Sequence, residues 1–499
     1  MRAPLALPSG AELARAGRAV PSNGARRPRA AARLGTLRFP WVLGMLVLHV
    51  VLGGVFKQSG TIATAHALGT LLVGLYWAVR GRPMFQLACW SMYAAGAEVL
   101  WRMTGANLIW EYGKYAVSLV LFIRVFRGGL RAIYWTPVIY FFLLMPAVVP
   151  TLLGYYSPQG FEDTRKLLSF NLSGPLSLMV CSLFFARVGL TGLRTQRLLT
   201  WMVIPIGGIA GAILLGLTSL EHLEFGRGSS LIASGGFGPN QVSAVLGIGA
   251  FFATLLALEP RLDARLRALF LGVALWFAAH AALSFSRTGI YLFGAGLAVA
   301  LPFSSIRNLL RLQTLLVVAV AIAAGLVTWA FLMRYTEGMI GERFSSTSLT
   351  RRDLIARQDL ALWEQHFILG AGVGGSSIAH TEGTGGRIGA HTEYTRLLAE
   401  HGLLGAMATL LLLAMAARPL FTMPLGFTKG ALVGACGMTL LWMAASAMRN
   451  AAPGLLIGLA AARICRPRRQ VRRRPVQTTA RAPLASRRLP LARSQTGGE

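Results

Sequence analysis

Apolar runs recur along most of this sequence, and short polar stretches separate them. About fourteen such windows can be distinguished, and most approach the roughly 20 residues that a helix needs to cross about 30 Å of hydrocarbon. The windows cover residues 38–56, 61–79, 84–101, 106–123, 132–153, 168–186, 199–218, 240–258, 269–286, 288–304, 312–333, 402–417, 428–446 and 452–464. Spanning segments must be helical, because a bilayer offers no water to open backbone groups. The pattern predicts an all-α, polytopic integral membrane protein.

The amino-acid composition agrees with this prediction and indicates whether the protein binds nucleic acid or membrane lipids. Of the 499 residues, 54% are hydrophobic and only 13% are charged, which is too little polar surface to cover a soluble protein. The net charge of +31 would suit a protein that binds nucleic acid. The basic residues, however, lie in the two tails and in short alternate loops instead of on a soluble domain. We therefore expect membrane lipids, and no nucleic acid, as partners.

The distribution of arginine predicts the orientation in the membrane, because cytoplasmic loops carry an excess of Lys and Arg. Alternate loops hold Arg80, Arg82, Arg124, Arg127, Arg131, Arg187, Arg194, Arg197, Arg261, Arg265, Arg267, Arg307 and Arg311. With an even number of spans, both basic tails fall in the cytoplasm too. We expect a disordered basic tail at 1–37, a membrane domain at 38–465 and a second disordered basic tail at 466–499. Residues 1–37 lack a continuous hydrophobic core, which argues against a cleavable signal peptide.

The remaining loops are predicted to face the other side, and the longest is the polar segment 334–400. Within it, Thr350 and Asp353 have the spacing of a capping box that opens a helix. The glycine run GAGVGG follows that helix and not a strand, so we interpret it as a flexible loop instead of a phosphate-binding loop. From His391 the pattern is helical again, and Gly402 is placed to break this surface helix before the next span. We expect a site to be built on this varied backbone.

Arginines of this side predict a cationic pocket at the edge of the membrane. Arg287, in FSRTG, lies between two apolar windows, and a charge at that depth requires compensation. Arg343, Arg351 and Arg352 open the long segment, and guanidinium groups suit bidentate contact with phosphate. The alternatives are that Arg287 reaches the headgroups or pairs with a carboxylate such as Glu342, and that the others are solvated surface charges. His391 is the candidate proton acceptor, since histidine titrates near neutral pH.

Other polar residues indicate structure more than chemistry. Glu98 and Arg102, and likewise Glu111 and Lys114, have the helical separations of ion pairs. The cysteines lie within or at the edge of apolar windows, as buried small hydrophobes do; they are Cys89, Cys181, Cys436 and Cys465. No HExxH, DxD or Cys/His spacing is present, so the sequence predicts neither a metal site nor a cofactor.

Several stretches together resemble the family of O-antigen ligases and O-antigen polymerases, bacterial inner-membrane enzymes of surface-glycan assembly. These stretches are FGPNQVSAVLG at 237–247, FSRTG at 285–289, the run from ERF at 342–344 to GAGVGG at 370–375, and HTEYTRLLAEHGLLG at 391–405. The resemblance covers roughly residues 38–465. Its most specific part is a His, a Tyr three residues later, Leu-x-x-Glu-x-Gly and a following span. One departure is Thr392 after the histidine, where the family often has Asn.

The resemblance implies a GT-C-like, multi-pass glycosyltransferase of the bacterial inner membrane that works without a metal or a nucleotide sugar. Such an enzyme acts at the periplasmic face on a glycan linked to undecaprenyl diphosphate. It implies that Arg287 and Arg343 hold the donor diphosphate, with Arg351 beside them, and that His391 acts near the acceptor. The expected supporting residues are Asn240, Glu393 and Tyr394. One direct displacement without a protein nucleophile would invert the anomeric carbon.

The sequence leaves other functions open. A ligase hands the glycan to lipid A-core, the acceptor that we favour, whereas a polymerase adds it to another lipid-linked glycan. A transporter for a lipid-linked sugar would predict charged or Gly/Pro-broken spans at mid-membrane, whereas here the charges concentrate at the outer edge. A scaffold whose basic tails bind anionic lipid would leave the segment 334–400 unexplained.

Overall fold

The computed structural model of this chain describes residues 37–129, 133–154, 160–218, 228–304, 310–346, 352–384 and 392–465. The two predicted tails lie outside these ranges, apart from Leu37. The described helices are α1 (Phe39–Gln58), α2 (Gly60–Val79), α3 (Met84–Met103), α4 (Tyr112–Arg127), α5 (Trp135–Leu143), α6 (Val148–Leu152), α7 (Gly160–Phe185), α8 (Gly192–Thr218), α9 (Pro239–Leu258), α10 (Ala264–Leu283), α11 (Arg287–Ala300), α12 (Leu312–Tyr335), α13 (Met339–Ser345), α14 (Arg352–Gln365), α15 (Gly375–Thr384), α16 (Glu393–Thr422), α17 (Phe427–Ala445) and α18 (Ala451–Leu459). A 3₁₀ helix, Leu301–Phe303, continues α11, and two short strands, β1 (Gly189–Leu190) and β2 (Arg463–Ile464), pair in parallel.

Within the described ranges, ten helical segments are long and apolar enough to cross a membrane. They are α1, α2, α5 together with α6, α7, α8, α9, α10, α12, α16 and α17. Each of the fourteen predicted windows falls on a helix, but those on α4, α11 and α18 have only 16, 14 and 9 residues, and α3 is not among the ten. The all-α, multi-pass architecture is therefore confirmed, whereas the count of fourteen stays a prediction.

The centre of the bundle is formed by α8 and α9, which are the most buried of these spans, while α12 is almost wholly exposed. An apolar helix with so little burial within the protein is suited to contact lipid. Close approach of α9 and α11 depends on Gly247 and Gly289, because a Cβ on either residue would overlap the backbone of the other helix. This contact brings the start of α11 next to the start of α9.

Alternate loops of the bundle meet at two opposite ends. At the first, which we call the basic end, Arg124 donates to the carbonyl of Arg82 (3.1 Å) and Arg187 to that of Val125 (2.9 Å). The second, which we call the segment end, carries the described parts of segment 334–400. There Lys57 donates to the carbonyl of Gly235 at 2.9 Å. The arginine-rich loops thus gather at the basic end, as the alternation in the sequence predicts.

The long segment folds back onto α16. After α14, the backbone N–H groups of Ala371 and Gly372 donate to the carbonyls of Ala399 (2.8 Å) and Glu400 (3.1 Å). Gly370 has a φ of 74°, and a Cβ there would overlap the backbone of Glu400. The interpretation of GAGVGG as a flexible loop was therefore wrong, because these glycines are buried and packed against a helix. The predicted break at Gly402 is confirmed, since its φ of 59° bends α16.

Candidate functional site

Three arginines from different helices meet at the segment end, and we call them the arginine cluster: Arg287 begins α11, Arg343 lies in α13 and Arg352 begins α14. All three are half-buried. Burial lowers the pKa of Arg343, and the neighbouring Arg287 lowers it further. Burial likewise lowers the pKa of Arg352, with added contributions from Arg287 and Arg343. The three guanidinium groups are thus close enough to repel one another.

Backbone carbonyls and a strained turn hold the arginine cluster in place. Arg343 donates from Nε to the carbonyl of Phe285 at 3.0 Å, and Arg287 donates to the carbonyl of Ser346. Phe285 is buried and has a φ of 55°, which is uncommon for a residue with a side chain and is found at functional turns. Ser286, the next residue, donates from Oγ to Oδ1 of Asn240 at 2.7 Å.

The structure brings some of the predicted site residues together, and others lie outside the residues that it describes. Arg287 and Arg343 lie close together, and Asn240 contacts the turn before Arg287, while their roles in a site stay predictions. Arg351 and His391 lie outside the described residues. Their predicted roles stay predictions, while Arg352, one position after Arg351, joins the arginine cluster.

A buried ion network runs along the first turns of α16. Arg396 contacts Oε1 of Glu393 at 2.5 Å and Oε2 of Glu400 at 2.8 Å, and all three side chains are buried. Glu393 also accepts from the backbone N–H of Met448 at 3.3 Å. Tyr394, the other supporting residue of this helix, donates to the carbonyl of Leu440 at 2.8 Å. Both residues therefore fix α16 against the rest of the bundle.

A second ion pair faces this network from α3. Glu98 and Arg102 lie 2.5 Å apart, which confirms the predicted pairing. Glu98 accepts from the backbone N–H of Ala451 at 2.6 Å, and Arg102 donates to the carbonyl of Arg449 at 3.1 Å. Arg102 also donates to the side chain of Gln241 at 3.5 Å. Because Gln241 follows Asn240, the start of α9 contacts both this pair and the turn before Arg287.

Lys114 lies within electrostatic reach of Glu98 and Glu393, and its ammonium group has no hydrogen-bond partner among the described residues. Its side chain is fully buried. The predicted pairing with Glu111 is present as an electrostatic interaction, without a hydrogen bond between the two side chains. Asn450 is also buried, with neither amide atom bonded within the described ranges. Such groups are rare in protein interiors and mark a polar centre.

Asp359 ties the helices of the long segment to α16. It is fully buried, accepts from Thr395 Oγ1 at 2.6 Å and from Ser376 Oγ, and lies 3.1 Å from His380 Nε2. Arg352 precedes Asp359 by seven residues in the same helix, about 10 Å along its axis. Helix α14 therefore connects the arginine cluster to α16 at Thr395, four positions after His391 in the chain.

The sequence analysis missed Arg396, Glu400 and Asp359, although a signal for the first two was present. Glu393, Arg396 and Glu400 have the spacings of three and four that allow ion pairs on one helix face. Asp359 gives no such signal, because its partners lie on other helices. Among the residues that the structure describes, no group of three His, Cys, Asp or Glu side chains is arranged to hold a metal ion.

Comparisons with known proteins add no family to this description. No protein-family model matches the chain, and no curated protein matches it either.

Proposed function

We propose that this chain is a glycosyltransferase of bacterial surface-glycan assembly, which moves a glycan from undecaprenyl diphosphate to an acceptor sugar. The observation that carries the proposal is the arginine cluster. Arg343 donates to the carbonyl of Phe285, two residues before Arg287, and Arg287 donates to the carbonyl of Ser346, which follows α13. Arg352 lies near both. Like charges held together repel each other, and a ligand with two phosphates offsets that repulsion while accepting bidentate hydrogen bonds. Undecaprenyl diphosphate, the donor lipid that the resemblance to O-antigen ligases and polymerases implies, is a ligand of this chemistry.

The reaction would be one displacement at the anomeric carbon. The acceptor hydroxyl oxygen forms a bond to that carbon while the bond to the diphosphate oxygen breaks, and the electron pair leaves with undecaprenyl diphosphate. His391 accepts the hydroxyl proton, a role that contributes about 10²–10⁴ to the rate. The arginine cluster stabilises the charge that develops on the leaving oxygen, which is more effective at a membrane edge than in water. The anomeric carbon of the product has the inverted configuration.

The orientation follows from the two ends of the bundle. Because cytoplasmic loops are enriched in arginine, the basic end would lie in the cytoplasm with both termini. The segment end, with the arginine cluster, would then face the periplasm at the outer surface of the inner membrane. A lipid-linked donor would place its diphosphate at headgroup depth, beside Arg287 at the start of α11.

Transfer in reconstituted vesicles tests the proposal. The purified protein is supplied with a polyprenyl-diphosphate glycan and with either lipid A-core or a second lipid-linked glycan. We expect Arg287→Ala and Arg352→Ala to lower the transfer rate by about 10²-fold or more, as loss of a donor to developing charge does. His391→Ala should lower it by about 10²-fold or more as well. Arg334→Ala and Arg357→Ala replace exposed arginines of α12 and α14 and should leave the rate unchanged.

The acceptor that is used decides between the two enzymes. Transfer to lipid A-core, the acceptor that we favour, makes the protein a ligase, and transfer to the lipid-linked glycan makes it a polymerase. Full activity of the Arg287, Arg352 and His391 variants would contradict the assignment of the site. Movement of the lipid-linked glycan across the bilayer without transfer would show that the protein is a transporter and not a glycosyltransferase.

A further inference from the structure

A cavity of about 1050 Å³ lies between α1, α2, α3 and α8, and no residue of the arginine cluster lines it. Six of its seventeen lining residues are aromatic. The aromatic lining residues are Trp41, Trp77, Phe85, Trp90, Tyr93 and Trp201. Arg38, just before α1, and Arg197, near the start of α8, line the part of the cavity at the basic end. The cavity therefore joins a long apolar wall to two guanidinium groups.

The shape of the cavity follows one face of α2. His66, Gly69, Thr70, Val73 and Trp77 line it at helical spacings of three and four residues. Eleven residues separate the first from the last, which corresponds to about 16 Å along the helix axis. An extended hydrocarbon chain fits such a groove better than a compact ligand does.

The histidine and the tyrosine that line the inner part of the cavity are already hydrogen-bonded to neighbouring side chains. His66 accepts from Trp101 Nε1 at 2.9 Å, and its other ring nitrogen bonds to the Tyr93 hydroxyl at 2.9 Å. The same hydroxyl bonds to His49 at 2.9 Å, and Trp90 Nε1 donates to the carbonyl of Thr70 at 2.8 Å. These side chains therefore present ring faces and edges to the cavity, and a polar ligand group is better placed near the arginines.

We propose that this cavity binds a membrane phospholipid with an anionic headgroup. An acyl chain lies along α2 against the aromatic side chains, and the phosphate lies near Arg38 and Arg197. Arg197 lines the same cavity as Cys89 and Trp201, so its guanidinium group is within reach of a phosphate at the basic end. Charge complementarity selects an anionic lipid over a zwitterionic one, whose ammonium group would face the same arginines. The site is independent of the proposed transfer reaction.

Gly69 offers a direct way to fill the cavity. A Cβ added at Gly69 meets no atom within 4 Å, so a phenylalanine ring there enters the cavity without displacing its neighbours. Gly44 on α1 is exposed, has the same open surroundings and does not line the cavity, so Gly44→Phe is the matched control. Arg38→Gln and Arg197→Gln remove the two charges without filling the space.

Native mass spectrometry of the full-length, detergent-purified protein measures the binding. Dioleoyl phosphatidylglycerol, dioleoyl phosphatidylethanolamine and a polyprenyl monophosphate are each titrated into the wild type and the four variants. We expect phosphatidylglycerol to bind at least about tenfold more weakly to the Gly69→Phe variant than to the wild type or the Gly44→Phe variant. Each arginine variant should bind phosphatidylglycerol about fivefold more weakly than the wild type, because that is the contribution of one basic residue at an anionic lipid surface.

Three outcomes would overturn the proposal. One is equal affinity for phosphatidylglycerol in the Gly69→Phe and Gly44→Phe variants. Another is equal affinity of the wild type for the anionic and the zwitterionic phospholipid. A preference for the polyprenyl monophosphate over phosphatidylglycerol would assign the cavity to an isoprenoid lipid instead. Gel filtration and circular dichroism of each variant show whether it is folded, and the arginine variants test the site if the Gly69 variant is not.

Discussion

Ser286 donates a hydrogen bond to Asn240, with 2.7 Å between Oγ and Oδ1. The bond joins the turn that ends at Arg287 to the first turn of α9, across 46 positions of sequence. Ser243 strengthens the same junction, since its Oγ donates to the carbonyl of Ser286 and accepts from the N–H of Gly289. The position of a charged site residue is therefore fixed by a set of neutral groups.

We expect Asn240→Ala and Ser286→Ala each to lower the rate of glycan transfer about tenfold, because loss of one hydrogen bond to a buried partner costs about 1–1.5 kcal/mol. The double variant should be no slower than the slower single variant, since both changes break the same bond. Initial rates in vesicles give the double-mutant cycle. Ser304→Ala, which removes a hydroxyl near the basic end, serves as the control. Additive losses would show that the two residues act separately.

Asp359→Asn should loosen the long segment from α16. The carboxylate accepts hydrogen bonds from Thr395 and Ser376 and lies beside His380, so an amide in its place loses at least one acceptor in a buried setting. We expect the free energy of unfolding to fall by about 1–3 kcal/mol. Limited proteolysis should then cut between α14 and α16 faster than in the wild type. Asp353→Asn changes an exposed carboxyl group of the same helix. Equal cleavage of the two variants would contradict this role of Asp359.

The local features of this fold were predictable from the sequence. Apolar windows predict the helices because the bilayer permits little else, and alternating arginines predict which loops share an end. The bend at Gly402 follows from a glycine between two apolar stretches. The positions of Arg287 and Arg343 along the chain predict a cationic pocket, although Arg343 taken alone is equally consistent with a solvated surface charge.

The long-range packing was not predictable in the same way. Arg352 joins the cluster from the first turn of α14, and the sequence around it does not show which other helices that turn approaches. The glycines at 370–375 pack against the backbone of α16, which lies about 30 positions later in the chain. The local sequence therefore does not show that they pack tightly. The spacing of Lys114 and Glu111 permits a pair, but it does not show that Glu98 and Glu393, which belong to other helices, also act on the buried ammonium group.

Replacing Arg396 alone should be more harmful than replacing its whole ion network. Arg396→Leu leaves the carboxylates of Glu393 and Glu400 buried without their cation, which costs about 3–5 kcal/mol of stability. The triple variant Glu393→Gln, Arg396→Leu, Glu400→Gln removes all three charges and should recover most of that loss. Thermal unfolding in detergent, followed by fluorescence, gives the order of stability, with Arg357→Leu on an exposed position as the control. A triple variant less stable than the single one would show that the carboxylates are needed for another reason.

Cysteine labelling tests which end of the bundle faces the outside of the cell. Cys465 is the exposed native cysteine among the described residues and lies at the basic end, whereas Cys89, Cys181 and Cys436 are buried. Ser229 is exposed at the segment end, where the next residue, Ser230, donates its N–H to the carbonyl of Ser284 at 3.0 Å. In intact spheroplasts, an impermeant maleimide should label Ser229→Cys in a Cys465→Ser background and should leave wild-type Cys465 unlabelled. Permeabilising the membrane should expose Cys465 to the reagent. The opposite pattern would place the arginine cluster in the cytoplasm, where a periplasmic transferase has no substrate.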